Sequence, residues 1–132
     1  MNIGIIITGH GNFATGIYSA VKLIIGPQES VESVDFSKED TLTELSNNID
    51  KAIADLNNTK KIFIMCDIFG GSPFNVAVRK KMDYKKIKII YGVNLGFVIE
   101  FINRRNNNSL NSKSITEIEI LAKDQMDFLN KK

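Results

Sequence analysis

Residues Lys61–Pro73 read KIFIMCDIFGGSP. Lys61–Asp67 is a short, mostly apolar run that ends on a carboxylate, which predicts a strand and not a helix. Gly70-Gly71 then opens a turn. Ser72-Pro73 follows in the order expected at a helix start, serine as cap and proline at the first helical position. That helix is predicted to reach about Lys81. The same alternation extends in both directions. Upstream, Asn2–Thr8 is an isoleucine-rich strand, and Phe13, Ile17, Val21, Ile24 and Ile25 share one helical face before Gly26-Pro27. Val31–Phe36 is the next strand. Thr41 with Glu44 matches a capping box for a helix through Leu45, Ile49, Ile53 and Leu56. Downstream come a strand at Lys86–Tyr91, a helix at Asn94–Arg105 with Leu95, Val98, Ile99 and Ile102 inward, and helical spacing again over Ile115–Gln125. Strand and helix in regular alternation predict an α/β fold, a doubly wound, mainly parallel sheet of four strands, in one domain over residues 1–132.

Composition narrows the function. The 132 residues are 43% hydrophobic and 24% charged, with net charge +2. That balance belongs to an ordinary globular domain and is too mild to indicate nucleic acid or an anionic membrane as a partner. A single cysteine, Cys66, suits a reducing, cytoplasmic setting. The N-terminus lacks the features of a signal peptide. No apolar run approaches the ~20 residues of a membrane span. One histidine and one cysteine make a poor zinc set, and no nucleotide-binding glycine motif is present.

The one histidine, His10, stands in Ile5-Ile-Ile-Thr-Gly-His-Gly-Asn12. Open parallel sheets bind ligands beyond the carboxyl ends of their strands, and His10, Asp67 and Gly70–Ser72 all fall there. Gly9 and Gly11 bare the backbone around the ring so that a bulky partner can approach. A carboxylate at Asp67 that accepts from one ring nitrogen leaves the other as a nucleophile. Gly70, Gly71 and Ser72 at a helix start form a nest for phosphate. The bland alternatives are a structural histidine, a turn carboxylate and a capped turn. The basic run Arg79–Lys86 is a solvated helix end and turn.

These residues resemble the enzyme IIA component of the mannose-type bacterial phosphoenolpyruvate:sugar phosphotransferase system. The resemblance rests on the strand and Gly-His-Gly opening at Ile3–Gly11, on Val34-Asp35-Phe36, on Asp67-Ile-Phe-Gly-Gly-Ser-Pro-Phe-Asn75, and on Gly92-Val-Asn94. It implies that His10 accepts phosphate at Nε2, with Asp67 bonded to Nδ1. It also implies that Ser72 and nearby amides, of Gly11, Gly70 and Gly71, hold the phosphoryl oxygens. No metal, nucleotide or other cofactor takes part. The implied donor is the histidine carrier protein HPr. The acceptor is enzyme IIB, which acts with a membrane sugar permease, so the protein is expected to be cytoplasmic and peripheral to the membrane through partners. A homodimer with a C-terminal strand exchanged near Met126–Asn130 is implied as well. Three other readings use the same residues: a phosphotransfer subunit of a dihydroxyacetone kinase system, a hydrolase with Ser72 as nucleophile and His10 as base, and a module that binds a phosphorylated metabolite without chemistry.

Overall fold

The computed structural model describes residues 1–129. It divides into two compact units, Met1–Val93 and Asn94–Lys132. In the first unit strands and helices alternate as β1 (Ile3–His10), α1 (Phe13–Ile25), β2 (Val31–Phe36), α2 (Leu42–Asp55), β3 (Lys61–Cys66), α3 (Gly71–Asp83) and β4 (Ile87–Tyr91). The three strand pairings are parallel, in the order β2-β1-β3-β4. The chain leaves β1 toward β2 on one side, then crosses back to lay β3 on the other. The direction of winding therefore reverses between β1 and β3, which is where an open α/β sheet forms a crevice at its carboxyl edge.

Alternation along the strands decides which residues meet which helices. Ile6, Ile62, Ile64 and Cys66 point to one face and join Leu45, Ile49, Ile53 and Leu56 of α2 and Val76 and Ala77 of α3 in a buried cluster. Ile5, Ile7 and Met65 are also fully buried but point to the other face. That face carries α1, since a Cβ on Gly9, in register with Ile5 and Ile7, would meet Phe13. The expected capping box is present: Thr41 Oγ1 accepts from the Glu44 amide at 3.1 Å, and Glu44 Oε1 accepts from the Thr41 amide at 3.0 Å.

The second unit contains α4 (Leu95–Asn106) and α5 (Ser112–Lys123), packed on each other. Asn94 and Asn111 cap them, each accepting a backbone amide through its side chain. Met126–Phe128 has no regular secondary structure. The segment expected to form an exchanged strand runs on to Asn130, outside the described residues.

Four boundaries and faces differ from expectation. Strand β1 does not stop at Thr8. It continues to His10, because β2 offers ladder partners as far as Phe36, opposite His10. Helix α3 starts at Gly71, with Gly70 as its N-cap and no side-chain cap, so Ser72 is the second helical residue and not the cap. Gly70 and Gly71 lie at φ +75° and +79°, and two glycines that reach the left-handed region let the helix begin earlier than Ser72-Pro73 suggests. In α1, Ile24 is exposed. In α4 the buried side chains are Phe97, Val98, Phe101 and Ile102, a face turned from the expected one, with Phe97 stacked on Phe101 at 5.8 Å.

Candidate functional site

His10 is the last residue of β1 and outreaches its neighbour β3, whose ladder with β1 ends at Thr8↔Cys66. The next residue of that chain is Asp67, whose amide donates to the Thr8 carbonyl at 3.2 Å. This register brings together two side chains 57 residues apart. Asp67 Oδ2 accepts from the His10 backbone amide at 2.9 Å and lies 2.8 Å from His10 Nδ1. Its other oxygen accepts from the Ile68 amide at 2.9 Å. Burial pushes the Asp67 carboxyl up, but the His10 amide, the His10 ring and the Ile68 amide outweigh it and hold the group below the ordinary carboxylate range. An ionised acceptor on the Nδ1 side favours the tautomer with its proton there and an unprotonated Nε2. The ring is 45% exposed and Asp67 13%, so the orienting group is shielded while the ring is accessible.

Gly9 serves this arrangement in a way the sequence does not suggest. A Cβ there would stand 2.7 Å from Phe13 Cδ1 and 2.8 Å from Asp67 Cγ. The missing side chain makes room for Asp67 and α1, not for an approaching partner. Gly11, by contrast, has open space around its Cα and lies at φ +58°. Its amide is already committed to the Phe36 carbonyl at 2.8 Å.

The other edge of the ring faces the start of α3. A Cβ on Gly71 would come within 2.9 Å of His10 Cε1 and 3.2 Å of Nε2. The α3 N-terminus therefore begins against the nitrogen that Asp67 leaves free. It has no side-chain cap. Helix N-termini carry unpaired amides and a partial positive charge, suited to an anion. Among the described residues nothing hydrogen-bonds the Ser72 hydroxyl, and no bond joins it to His10, as a serine nucleophile and its base would require.

Several nearby residues carry no role in the sequence reading. Phe36 sets its ring edge-on to His10, centroids 6.2 Å apart. Asp35 accepts from the Thr15 amide at 3.0 Å and from its hydroxyl at 2.6 Å. On the solvent side, the residues after Asp67 are apolar and open: Ile68 is 52% and Phe69 68% exposed. Phe69 sits 4.9 Å from Phe74 and 5.0 Å from Tyr91, ring centre to ring centre. Cys66, directly before Asp67, is buried, and burial together with the Asp67 charge pushes its thiol up to about 12, so it is no nucleophile at neutral pH.

Comparison with known proteins points the same way. The family model described as "PTS system fructose IIA component" matches residues 4–118. The "PTS system mannose-specific EIIAB component" of Escherichia coli K12 is 32% identical over 106 residues, covering 80% of this chain and 33% of that one. The chain thus spans about a third of that relative's length. The "PTS system fructose-specific EIIA component" of Bacillus subtilis is 28% identical over 108 residues, 82% of this chain and 74% of its own. In structure, the phosphotransferase system component EIIA of Streptococcus agalactiae superposes with a TM-score of 0.85 at 27% identity, covering 98% of this chain and 99% of that one. With the family model covering most of the chain, and His10 and Asp67 paired at the switch point of an α/β sheet, this chain belongs to the mannose-type enzyme IIA family of the sugar phosphotransferase system.

Proposed function

We propose that this chain is a phosphohistidine carrier that takes a phosphoryl group from phospho-HPr on His10 Nε2 and passes it to enzyme IIB, which phosphorylates sugar during import with a membrane permease. The observation that carries the reading is the His10 ring, held at Nδ1 by a shielded carboxylate and presented to solvent with Nε2 against the open start of α3. In the step itself, the Nε2 lone pair attacks phosphorus in line. The P–N bond to the donor imidazole breaks as the new one forms. The Nδ1 proton stays between His10 and Asp67, so no proton exchanges with water. The ring becomes cationic as its lone pair is used, and Asp67 compensates that charge. The α3 amides and Ser72 hydroxyl receive the phosphoryl oxygens. Transfer between two imidazoles is nearly isoenergetic, so alignment is the main contribution of the protein.

A carrier that exchanges phosphate with other proteins needs an exposed acceptor and a surface that can dock briefly. The apolar rim of Ile68, Phe69 and Tyr91 supplies one beside the ring. No helix among the described residues is long and apolar enough to cross a membrane; in this reading contact with the permease runs through enzyme IIB. Exposed Met126, Phe128 and Leu129 support a homodimer joined through the C-terminal segment.

Incubation with phosphoenolpyruvate, enzyme I and HPr, followed by intact mass, tests the reading. One phosphoryl group is expected, labile in acid and stable in base. His10→Ala should take none, and label retained in that variant removes His10 as the carrier. Sedimentation tests the dimer separately.

A further inference from the structure

The connection from β1 to α1 is only Gly11-Asn12, and Gly11 has no side chain to pack. Asp67 and the β2 ladder hold the His10 backbone itself, but something else must fix the turn that follows it. Asn12, the N-cap of α1, makes no capping bond with its side chain. Asp35 takes over that task from β2. Thr15 is the third residue of α1, and its amide and hydroxyl both bond the Asp35 carboxylate, at 3.0 and 2.6 Å. A carboxylate at a helix N-terminus is electrostatically favoured as well. The adjacent residue, Phe36, accepts the Gly11 amide through its carbonyl at 2.8 Å and sets its ring against the His10 edge. One dipeptide, Asp35-Phe36, thus anchors both ends of the short connection and one side of the imidazole.

We propose that Asp35 is a positioning residue for phosphoryl transfer at His10, acting through Thr15 and Phe36 without touching the reacting atoms. The inference rests on the reading of His10 as acceptor and extends it. Asp67 settles which ring nitrogen is free. A single bond at Nδ1 still lets the ring swing about the axis of that bond. The Phe36 edge contact removes this freedom, and it stays in place only while β2 and α1 are tied together. Loss of the Asp35–Thr15 bonds lets the first turn of α1 drift, loosens Gly11 from Phe36 and frees the ring.

The test compares wild type with Asp35→Ala, Thr15→Val, Asp35→Asn and the double variant Asp35→Ala/Thr15→Val. Two readouts apply: transfer kinetics from phospho-HPr, and the proton chemical shifts of the His10 ring, which the Phe36 ring current displaces. Asp35→Ala, which loses both bonds, should lower the saturated transfer rate about 10-fold, within the ~10²-fold that a misplaced reacting group costs, and Thr15→Val, which loses only the hydroxyl bond, should lower it by a smaller factor. KM for the donor should be unchanged. The His10 ring protons should move toward unstructured values. Asp35→Asn keeps an oxygen for the Thr15 amide and should restore most of the rate, and the double variant should be no worse than Asp35→Ala. Unchanged His10 shifts and rate with only a lower Tm would make Asp35 a plain helix cap and overturn the proposal. Thr15→Val retains the amide bond and decides the matter if Asp35→Ala does not fold. Should wild type itself accept no phosphate, the carrier reading fails, while the ring shifts still report whether Asp35 fixes His10.

Discussion

Replacing Asp67 by asparagine tests the site most sharply, because three donors converge on its two oxygens. Oδ2 serves the His10 amide and His10 Nδ1, and Oδ1 serves the Ile68 amide. Asparagine has one oxygen and one NH₂ group, so no orientation satisfies all three. If its oxygen faces His10, the NH₂ confronts the Ile68 N–H. If the oxygen faces Ile68, the NH₂ confronts the His10 N–H, and Nδ1 must accept. The ring proton then moves to Nε2, and the nucleophile is lost. A donor left facing a donor costs about 1–3 kcal/mol. The effect on rate combines two opposed terms. Loss of orientation costs about 100-fold, or ~2.7 kcal/mol. Against it, the carboxylate repels a metaphosphate-like group carrying about one negative charge. Roughly 6 Å of separation and an effective dielectric of about 40 at this half-exposed ring make the repulsion ~1.4 kcal/mol. Orientation wins, and the net expectation is transfer slowed roughly 10-fold. Rapid-quench kinetics from phospho-HPr measures this, with circular dichroism to confirm the fold and ¹⁵N shifts to report the His10 tautomer. Rates equal to or above wild type would mean that repulsion dominates and that Asp67 is a structural turn residue.

Three further outcomes are expected. Gly9→Ala drives a methyl into Phe13 and Asp67 at 2.7–2.9 Å, so thermal unfolding should show a loss of about 1–3 kcal/mol, the usual result of overpacking, whereas Gly11→Ala, with open space, should suffer only its backbone strain. Gly71→Ala combines φ +79° with a Cβ 3.2 Å from His10 Nε2; about 1–2 kcal/mol of left-handed strain is expected, together with more than ~10-fold slower labelling of His10 by phospho-HPr. Because the Asp67 pKa is depressed in the folded protein, its stabilising contribution is complete above the ordinary carboxylate value of ~3.9 and fades as pH falls through the lower folded value. Denaturant unfolding from neutral to acid pH should therefore show wild type converging on Asp67→Asn at the acid end, and a constant gap between the two would refute that linkage.

The alternation of apolar runs with helical spacing made the order of elements legible, since burial on both faces of a parallel sheet leaves a continuous signature. His10 and Asp67 were legible as well, because each stands where such a run stops. What escaped were facts that depend on a neighbour distant in sequence. β1 outlasts its own apolar pattern because Asp35 and Phe36 of β2 extend the ladder to it. Ser72-Pro73 is a strong local signal for the start of α3, and only the paired left-handed glycines show that it is overridden. The role of Gly9 depends on where Asp67 lands. The Asp35–Thr15 cap joins residues 20 apart that no capping template links. The buried face of α4 includes Phe97 and Phe101, whose i, i+4 spacing is as good a helical signal as that of Leu95, Val98, Ile99 and Ile102.

Under the proposed carrier role, the site faces two opposed demands. A phosphoryl acceptor that serves other proteins must be exposed, and exposed side chains are conformationally free; a nucleophile for in-line transfer must be fixed. Placing His10 at the very end of a central strand answers both. Its backbone is held on one side by Asp67 and lies in register with Phe36 on the other, while the side chain stays 45% exposed with Nε2 beside the start of α3. Orientation and encounter thereby fall to separate residues. Gly9, Asp35 and Asp67 lie behind the ring and govern how it is held. Ile68, Phe69 and Tyr91 lie in front, exposed, and make no bond to it. Substitutions in the two groups should therefore separate kinetically. Phe69→Ala should raise KM for phospho-HPr and leave the saturated rate alone, since it removes docking surface from ground and transition state alike. Changes behind the ring should lower the saturated rate at constant KM. If Phe69→Ala instead slows the saturated step with KM unchanged, then the aromatic rim shapes the transfer geometry itself, and the division between holding and docking does not apply to this site.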